Sequence, residues 1–195
     1  MQLADTCVIR LPAWLGEWLG KQERDYGDER DCMSMVVELS AENVRRQSGG
    51  PFAAAVIDSK NDRLISVGVN LVSESGLSMA HAEMVALSLA QNALGDWNLG
   101  RFGGMQLYTS CEPCAMCFGA VPWSGVTSLK CAASKADAEA AGFDEGEKPA
   151  DWKQALQARG IDVVTSLLRE EATEVFRLYR ASGGLIYNPG PDPED

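Results

Sequence analysis

The sequence predicts a single α/β domain, folded as a three-layer α/β/α sandwich in which helices flank a central mixed sheet of about five strands. The chain has 195 residues, 46% of them hydrophobic, which suffices for one sizeable core. Apolar stretches typical of strands alternate with stretches at helical spacing, and no long linker separates them. We therefore expect 1–195 to form one domain, with 1–27 as an N-terminal extension and 183–195 as a C-terminal tail.

The first part of the chain predicts two helices and a hairpin. Residues 11–19 carry Trp and Leu at helical spacing, which favours a short helix that covers part of the core or a partner subunit. A longer amphipathic helix over 28–46 ends before a Gly pair. The apolar stretches 52–58 and 63–70 flank a polar turn, and this pattern is typical of two hairpin strands.

The second part of the chain predicts further helices and three more strands. The first two of these helices are predicted from an alanine-rich segment, 80–94, and from a segment that begins with proline, 113–121. The predicted helices are 80–94, 113–121, 135–141, 152–159 and 170–181. The predicted strands are 105–109, 126–132 and 161–167.

Charge and cysteine usage limit the classes of partner. The formal net charge of -11 repels a phosphate backbone, so we expect no nucleic acid partner. No apolar run approaches the length of a membrane span, and the N-terminus lacks a signal-peptide pattern, so we expect a cytoplasmic protein without a membrane partner. The six cysteines do not pair convincingly, and reduced thiols with some bound to a metal fit better than disulfides.

Two short motifs carry the chemistry. His81-Ala82-Glu83 and Pro113-Cys114-Ala115-Met116-Cys117 match the H-x-E and P-C-x-x-C signature of zinc deaminases. Two cysteines three apart at the start of a helix can reach one ion, and the helix N-terminus favours their thiolate forms. One imidazole and two thiolates leave the fourth tetrahedral position for water, as a catalytic zinc requires. We predict one Zn²⁺ held by His81, Cys114 and Cys117.

Glu83 is the predicted catalytic residue. It would take a proton from the zinc-activated water, protonate the substrate ring, and later protonate the departing amine. On a regular helix, residues two apart point about 200° apart, so spacing alone does not bring Glu83 and His81 to one site.

Each element also has an ordinary structural interpretation. A lone histidine is usually a surface or core residue, although His81 is the only histidine in the chain. A Cys-x-x-Cys pair by itself is also found in redox and structural sites. Cys111, Cys114 and Cys117 form a run like the start of a ferredoxin cluster site, for which Cys131 would be the fourth ligand. A structural zinc or iron–sulfur module is therefore the non-enzyme alternative.

With these motifs placed, the sequence resembles the bacterial guanine deaminases between about residues 49 and 143. The segments Gly49–Phe52, Tyr108–Cys114 and Asp137–Asp144 are similar to that family's loop into the first strand, its second zinc segment, and the stretch before its substrate-reading acid. The resemblance implies a cytidine deaminase-like fold and hydrolytic deamination of guanine to xanthine and ammonia. It also implies a homodimer in which the C-terminal segment can reach the neighbouring site.

The resemblance and the chemistry of guanine together predict the substrate contacts. Asn70 matches the asparagine that hydrogen-bonds the base, although a strand-end asparagine is also common. Guanine offers N–H donors that a carboxylate accepts, and Asp144, Glu145 and Glu147 form the candidate acidic cluster. Glu147 or Glu145 is the expected functional acid, against the simpler interpretation of a solvated loop.

Three further residues complete the predicted contacts. Phe52 and Trp123 are candidates for stacking on the purine, with core packing as the alternative. Ala82, which lies between His81 and Glu83, is also predicted to contact the substrate.

The substrate range stays open at two places. Leu77-Ser78-Met79 stands where the family has Asp-Pro, and the segment from Asp144 to Asp151 diverges. Both border the pocket in family members, so related amino-heterocycles such as aminotriazines are possible substrates. A tRNA adenosine deaminase and a cytosine deaminase are the alternative enzymes.

Overall fold

The computed structural model describes residues 3–188, which contain five strands and eight α-helices. The strands are β1 (Ala53–Asp58), β2 (Arg63–Val69), β3 (Met105–Cys111), β4 (Ser128–Ala133) and β5 (Asp162–Val164). The helices are α1 (Trp14–Gly20), α2 (Glu29–Arg45), α3 (Val72–Ser75), α4 (Ala82–Leu94), α5 (Ala115–Ser124), α6 (Lys135–Ala140), α7 (Trp152–Gln157) and α8 (Arg169–Ala181).

Each helix and strand predicted from the sequence is present with somewhat different ends. The short helix α3 and a 3₁₀ turn at Leu99–Arg101 were not predicted. Part of the predicted C-terminal tail, 189–195, lies outside the described residues, as do residues 1 and 2.

The strands form one mixed sheet in the order β2-β1-β3-β4-β5. β1 runs antiparallel to both β2 and β3, whereas β3, β4 and β5 are parallel. The predicted hairpin and the predicted five-stranded mixed sheet are both confirmed. Because β1 is antiparallel to β3, the start of β1 lies at the same edge as the ends of β2 and β3.

Helices cover both faces of the sheet. One core cluster joins α1, α2, α6 and α8 to the sheet, and the other joins α4, α5 and α7 to its opposite face. Every residue of β1 and β4 is buried, as expected for strands with a helix layer on each side. The three-layer sandwich is therefore confirmed.

Close packing of α4 on β2 directs the start of α4 toward one edge of the sheet. A Cβ added at Gly68 in β2 would lie 2.1 Å from the carbonyl oxygen of Ala82 and 2.6 Å from the backbone nitrogen of Ala86. Only glycine permits this approach. The contact fixes the position of the His81–Glu83 segment.

The N-terminal segment packs against the first core cluster. Leu15 of α1 is buried in the first core cluster, and the indole nitrogen of Trp14 donates to the Ser48 hydroxyl over 3.0 Å. Helix α1 therefore covers part of the core. None of the helices within residues 3–188 has the length and apolar character needed to cross a bilayer.

Candidate active site

A cavity of about 360 Å³ opens at the edge where β1 begins and where β2 and β3 end. Small-molecule sites commonly have volumes of about 300–1,000 Å³. Its lining comes from several elements that are distant in the chain: Phe52, Asn70, Val72, Ser78, His81, Glu83, Glu112, Cys114, Ala115, Met116, Phe143, Asp144, Glu145, Gly146, Tyr187 and Asn188. Ser78 belongs to the segment 77–79, in which the sequence departs from the guanine deaminase pattern, and this segment therefore borders the cavity.

Three potential metal ligands meet at the floor of this cavity. His81 Nδ1 lies 3.5 Å from Cys114 Sγ and 3.7 Å from Cys117 Sγ, and all three donor atoms lie within 4.8 Å of one another. Zn–N and Zn–S bonds of about 2.05 and 2.3 Å in a tetrahedron separate nitrogen and sulfur by about 3.6 Å. His81, Cys114 and Cys117 are therefore positioned to hold one zinc ion.

Two helix N-termini produce this arrangement. His81 is the N-cap residue of α4 (φ -68°, ψ 153°), and Cys114 is the N-cap residue of α5 (φ -64°, ψ 175°). Side chains two residues apart on a regular helix point about 200° apart. His81 has extended rather than helical backbone, so this angle does not separate His81 from Glu83. His81 and Glu83 consequently both line the cavity.

The two thiols differ strongly in acidity. Hydrogen bonding with Cys117, followed by that with His81, lowers the pKa of Cys114 to about 4. The hydrogen bond to Cys114, together with burial, raises the pKa of Cys117 well above its ordinary value. Burial lowers the pKa of His81, but Cys114 and Glu83 outweigh that effect and raise it. Zinc binding must therefore release a proton from this set.

Two carboxyl groups in the cavity wall are buried, and neither forms a salt bridge with any residue of 3–188. Burial, reinforced by the charge of Cys114, raises the pKa of Glu83. Burial, followed by the charges of Cys114 and Glu83, raises the pKa of Glu145 to about 8. Groups with such shifts in a cavity are typical of functional sites.

The amide of Asn70 is held in a defined orientation at the end of β2. Its Oδ1 accepts a hydrogen bond from the backbone N–H of Val72 over 3.3 Å, which leaves the NH₂ group for the cavity. The side-chain amide of Asn43 donates to the carbonyl oxygens of Gly50 and Asn70. Gly49 completes the loop at φ 147°, where an added Cβ would lie 1.9 Å from the Asn70 carbonyl oxygen.

Aromatic rings form the apolar wall of the cavity. Phe52 packs edge-on against Phe143, with ring centroids 4.9 Å apart. Tyr187 lies 5.5 Å from Phe143 and 6.4 Å from His81. Its buried hydroxyl has no hydrogen-bond partner among the described residues. Sequence reasoning missed Tyr187, because nothing in the local pattern of the tail indicates that it folds back over the site.

Three of the predicted substrate contacts lie elsewhere. Glu147 is exposed and does not line the cavity, whereas Glu145 is 6% exposed and does. Trp123 is 81% exposed, because it lies in the last turn of α5 on the face turned away from the core. The Ala82 side chain is fully buried between α4 and the sheet. Glu147, Trp123 and Ala82 are therefore not among the residues that line the cavity of this chain, and their predicted contacts with the substrate remain predictions.

The cysteines proposed for an iron–sulfur cluster do not converge. Within the described residues, the metal-binding group consists of His81, Cys114 and Cys117. Cys111 is buried at the end of β3, where its thiol contacts the Ser134 carbonyl oxygen. Cys131 is fully buried within β4. This placement disfavours a four-thiolate site.

Known proteins share both the motifs and the fold. The family model of the cytidine and deoxycytidylate deaminase zinc-binding region matches residues 27–133. The guanine deaminase of Bacillus subtilis (strain 168) is 38% identical over 125 residues, which cover 61% of this chain and 77% of that protein. A solved guanine deaminase from Nitrosomonas europaea is 45% identical with a TM-score of 0.85, over 93% of this chain and 100% of that one.

Two further matches concern ligands and alternatives. A solved structure in complex with 2,6-diaminopurine is 47% identical with a TM-score of 0.86, over 94% of this chain and 97% of that one. The tRNA-specific adenosine deaminase of Bacillus subtilis (strain 168) is 44% identical over only 69 residues, 35% of this chain and 41% of that protein. The resemblance to guanine deaminases is confirmed.

Proposed function

Because the chain belongs to the cytidine and deoxycytidylate deaminase family, we propose that it is a zinc-dependent aminohydrolase that converts guanine and water to xanthine and ammonia. The observation that carries this proposal is the buried carboxyl group of Glu83 in the cavity at whose floor His81, Cys114 and Cys117 form a donor set for one metal ion. A structural metal site needs neither the cavity nor the carboxyl group.

Glu83 carries the proton transfers in this reaction. When bound, zinc supplies a water molecule that is acidic near neutral pH. Glu83 accepts a proton from this water and delivers it to the ring nitrogen beside the amine-bearing carbon. It then delivers the second water proton to the departing amine, so that ammonia leaves and the water oxygen stays on the ring. The raised pKa of Glu83 suits a group that both accepts and donates protons.

The remaining cavity residues hold the base. The carboxylate of Glu145 accepts from ring N–H groups, and the NH₂ group of Asn70 donates to an acceptor on the ring. Phe52 supplies an apolar surface for the planar ring, and the unpaired hydroxyl of Tyr187 is available to a polar edge of the base. A base with both N–H donors and acceptors satisfies these groups better than an apolar ligand does.

A tRNA substrate is the main alternative. The net charge of -11 opposes binding to a phosphate backbone, and the tRNA deaminase match covers a smaller share of the chain. We therefore propose a free nucleobase as the substrate and no nucleic acid partner. Failure to bind tRNA at low salt would agree with this choice.

The decisive experiment measures ammonia release by the zinc-loaded protein. The panel contains guanine, 2,6-diaminopurine, adenine, cytosine, cytidine and an aminotriazine, with Glu83→Gln as the blank. Release from guanine that disappears in the blank is the expected result. Release from another compound alone would move the substrate assignment, and no release from any of them would contradict the proposed reaction.

A homodimer is the proposed assembly. Met116, Gly119, Ala120 and Trp123 form an apolar stripe at helical spacing along α5, and Met116 and Trp123 are 39% and 81% exposed. An exposed stripe of this kind is typical of an interface, and closed twofold dimers are the commonest oligomers. Light scattering after size exclusion is expected to give a dimer for the wild type and a monomer for Trp123→Glu.

A cytoplasmic location is proposed together with this chemistry. All six cysteines are free thiols in the structure. Zinc-binding thiolates persist in a reducing compartment, in which disulfides rarely form.

A further inference from the structure

Two residues beyond the cavity-lining Gly146, and outside the lining itself, lies a buried lysine to which no part of the proposed chemistry assigns a role. The Lys148 side chain is only 2% exposed, and its ammonium nitrogen lies 4.5 Å from the centroid of the Trp152 indole ring. Burial of an ammonium group is costly unless it is paired. Its partners therefore indicate what it does.

The principal partner of Lys148 is the residue immediately before a metal ligand. Its Nζ donates to the carbonyl oxygen of Pro113 over 2.8 Å, and Pro113 is followed by Cys114. The Glu112 carboxylate, at 3.9 Å, balances part of the charge. Hydrogen bonds from an ammonium group are stronger than those between neutral groups. Lys148 thus holds the chain directly before Cys114.

Lys148 also belongs to the segment that carries Glu145. We call residues 145–148 the acid segment. Its backbone crosses the start of α5, where the Glu145 carbonyl oxygen accepts from Ala115 N–H over 2.9 Å and the Gly146 carbonyl oxygen accepts from Lys135 Nζ over 2.7 Å. No described residue donates a hydrogen bond to the Glu145 carboxylate, so the attachment of the backbone sets its position.

We propose that Lys148 is a positioning residue that holds the Glu145 carboxylate at a fixed distance from the metal ligand Cys114 by binding the acid segment to the Pro113 carbonyl. This proposal rests on the proposed function, in which Glu145 binds the base. Removal of the ammonium group frees the C-terminal end of the acid segment while leaving all three metal ligands in place. Because the contact of Glu145 is made in the bound substrate as well as in the transition state, the effect falls on KM.

A double-mutant cycle tests whether Lys148 acts through Glu145. Lys148→Met keeps the apolar stem on Trp152 and removes the donor. We expect it to raise KM for guanine about tenfold, with kcat within about threefold and zinc content unchanged. In a Glu145→Gln background the same change is expected to have no further effect on KM. An equal rise in KM in both backgrounds would overturn the proposal, since a purely structural role acts regardless of Glu145.

Lys153 provides a matched control. It also lies near Glu112 and the Trp152 ring, at 3.8 and 5.5 Å, but it donates to Thr165 rather than to Pro113. Lys153→Met is expected to keep the wild-type KM. Lys148→Arg, which retains a cationic donor, is expected to restore most of the affinity lost in Lys148→Met.

Amide hydrogen exchange separates this proposal from the proposed function. Lys148→Met is expected to accelerate exchange of the Ala115 amide, which donates to the Glu145 carbonyl oxygen, at least tenfold, whereas Lys153→Met is not. Unchanged exchange of the Ala115 amide would refute the positioning role even if guanine is deaminated. If the wild type does not deaminate guanine, the proposed function fails and the exchange result still decides the role of Lys148. If Lys148→Met does not fold, Lys148→Leu, which also lacks a donor, replaces it in every measurement.

Discussion

Asp137 and Glu145 belong to the same stretch of chain, but their carboxyl groups have opposite environments. Asp137 accepts hydrogen bonds from the backbone N–H and the hydroxyl of Ser134 and from two nitrogens of Arg169, over 2.7–2.8 Å. Hydrogen bonding from Arg169 holds its pKa well below the ordinary value. Glu145 has no such donor, and burial raises its pKa to about 8.

The difference separates a residue selected for folding from one selected for binding. Asp137 completes the capping box of α6, and its charge is fully paired. Glu145 has a carboxylate that costs stability when it is ionised, which a protein retains only where a ligand compensates for it. Of these two acids, Glu145 is therefore the candidate for substrate binding, because its carboxylate is not paired within the protein. Four predictions test this distinction.

The largest expected effect concerns Glu83, the second buried carboxyl group of the cavity. Glu83→Gln keeps the shape of the side chain but cannot accept or return a proton. We expect kcat to fall by about 10²- to 10⁴-fold, since general acid–base catalysis contributes that much. Ammonia release measures the loss, and metal analysis is expected to show one zinc per chain. Wild-type turnover with full zinc would rule out the assigned role.

The next effect distinguishes the two candidate acids. Glu145→Gln removes the charged acceptor from the cavity, so KM for guanine is expected to rise about 10- to 100-fold, the equivalent of one charged hydrogen bond. Glu147→Gln changes an exposed carboxylate two residues further on and is expected to leave KM unchanged. Steady-state kinetics of both variants decide the matter. The reverse result would return the role to Glu147.

The sequence predicted most of the fold and the metal ligands, because both depend on local patterns. Apolar strand segments bounded by turns located the hairpin and the later strands within a few residues. The zinc motifs were recognisable because a metal site requires particular residue types at fixed short spacings. The sequence did not show that the side chains of His81 and Glu83 reach the same cavity, because this depends on His81 being an N-cap residue with extended backbone.

The remaining cavity residues depend on contacts that local patterns do not encode. The choice between Glu145 and Glu147 follows from how the loop crosses the start of α5, where Ala115 binds the Glu145 carbonyl oxygen. Tyr187 reaches the cavity from the far end of the chain. Trp123 was predicted to stack on the base because aromatic residues commonly do so, but its position on α5 exposes it. These three outcomes required the tertiary structure.

The stability of the metal-free protein gives a third, smaller effect. The pKa of Glu145 is raised from 4.5 to about 8, so its ionisation opposes folding. The cost is absent below about pH 4.5 and grows as the pH rises through about 8. At pH 9, Glu145→Gln is expected to be more stable than the wild type by about 1–3 kcal/mol. Urea denaturation at pH 5 and pH 9 measures the difference, and a less stable variant at pH 9 would contradict the assigned cost.

Asp137 is expected to show the smallest effect, with the opposite dependence on pH. Its pKa is lowered well below the ordinary value of 3.8, so the stabilisation is fully present above about pH 5, begins to weaken near the ordinary value, and is lost only as the pH falls to the lowered pKa. Because Arg169 is half exposed, Asp137→Asn is expected to cost only about 1 kcal/mol at pH 7, or about 2–4 °C in Tm. Thermal unfolding of both proteins should therefore differ at pH 7, and the difference should shrink only as the pH falls well below 4, while KM for guanine stays unchanged. A raised KM would place Asp137 with the cavity acids and remove the distinction between the two carboxylates.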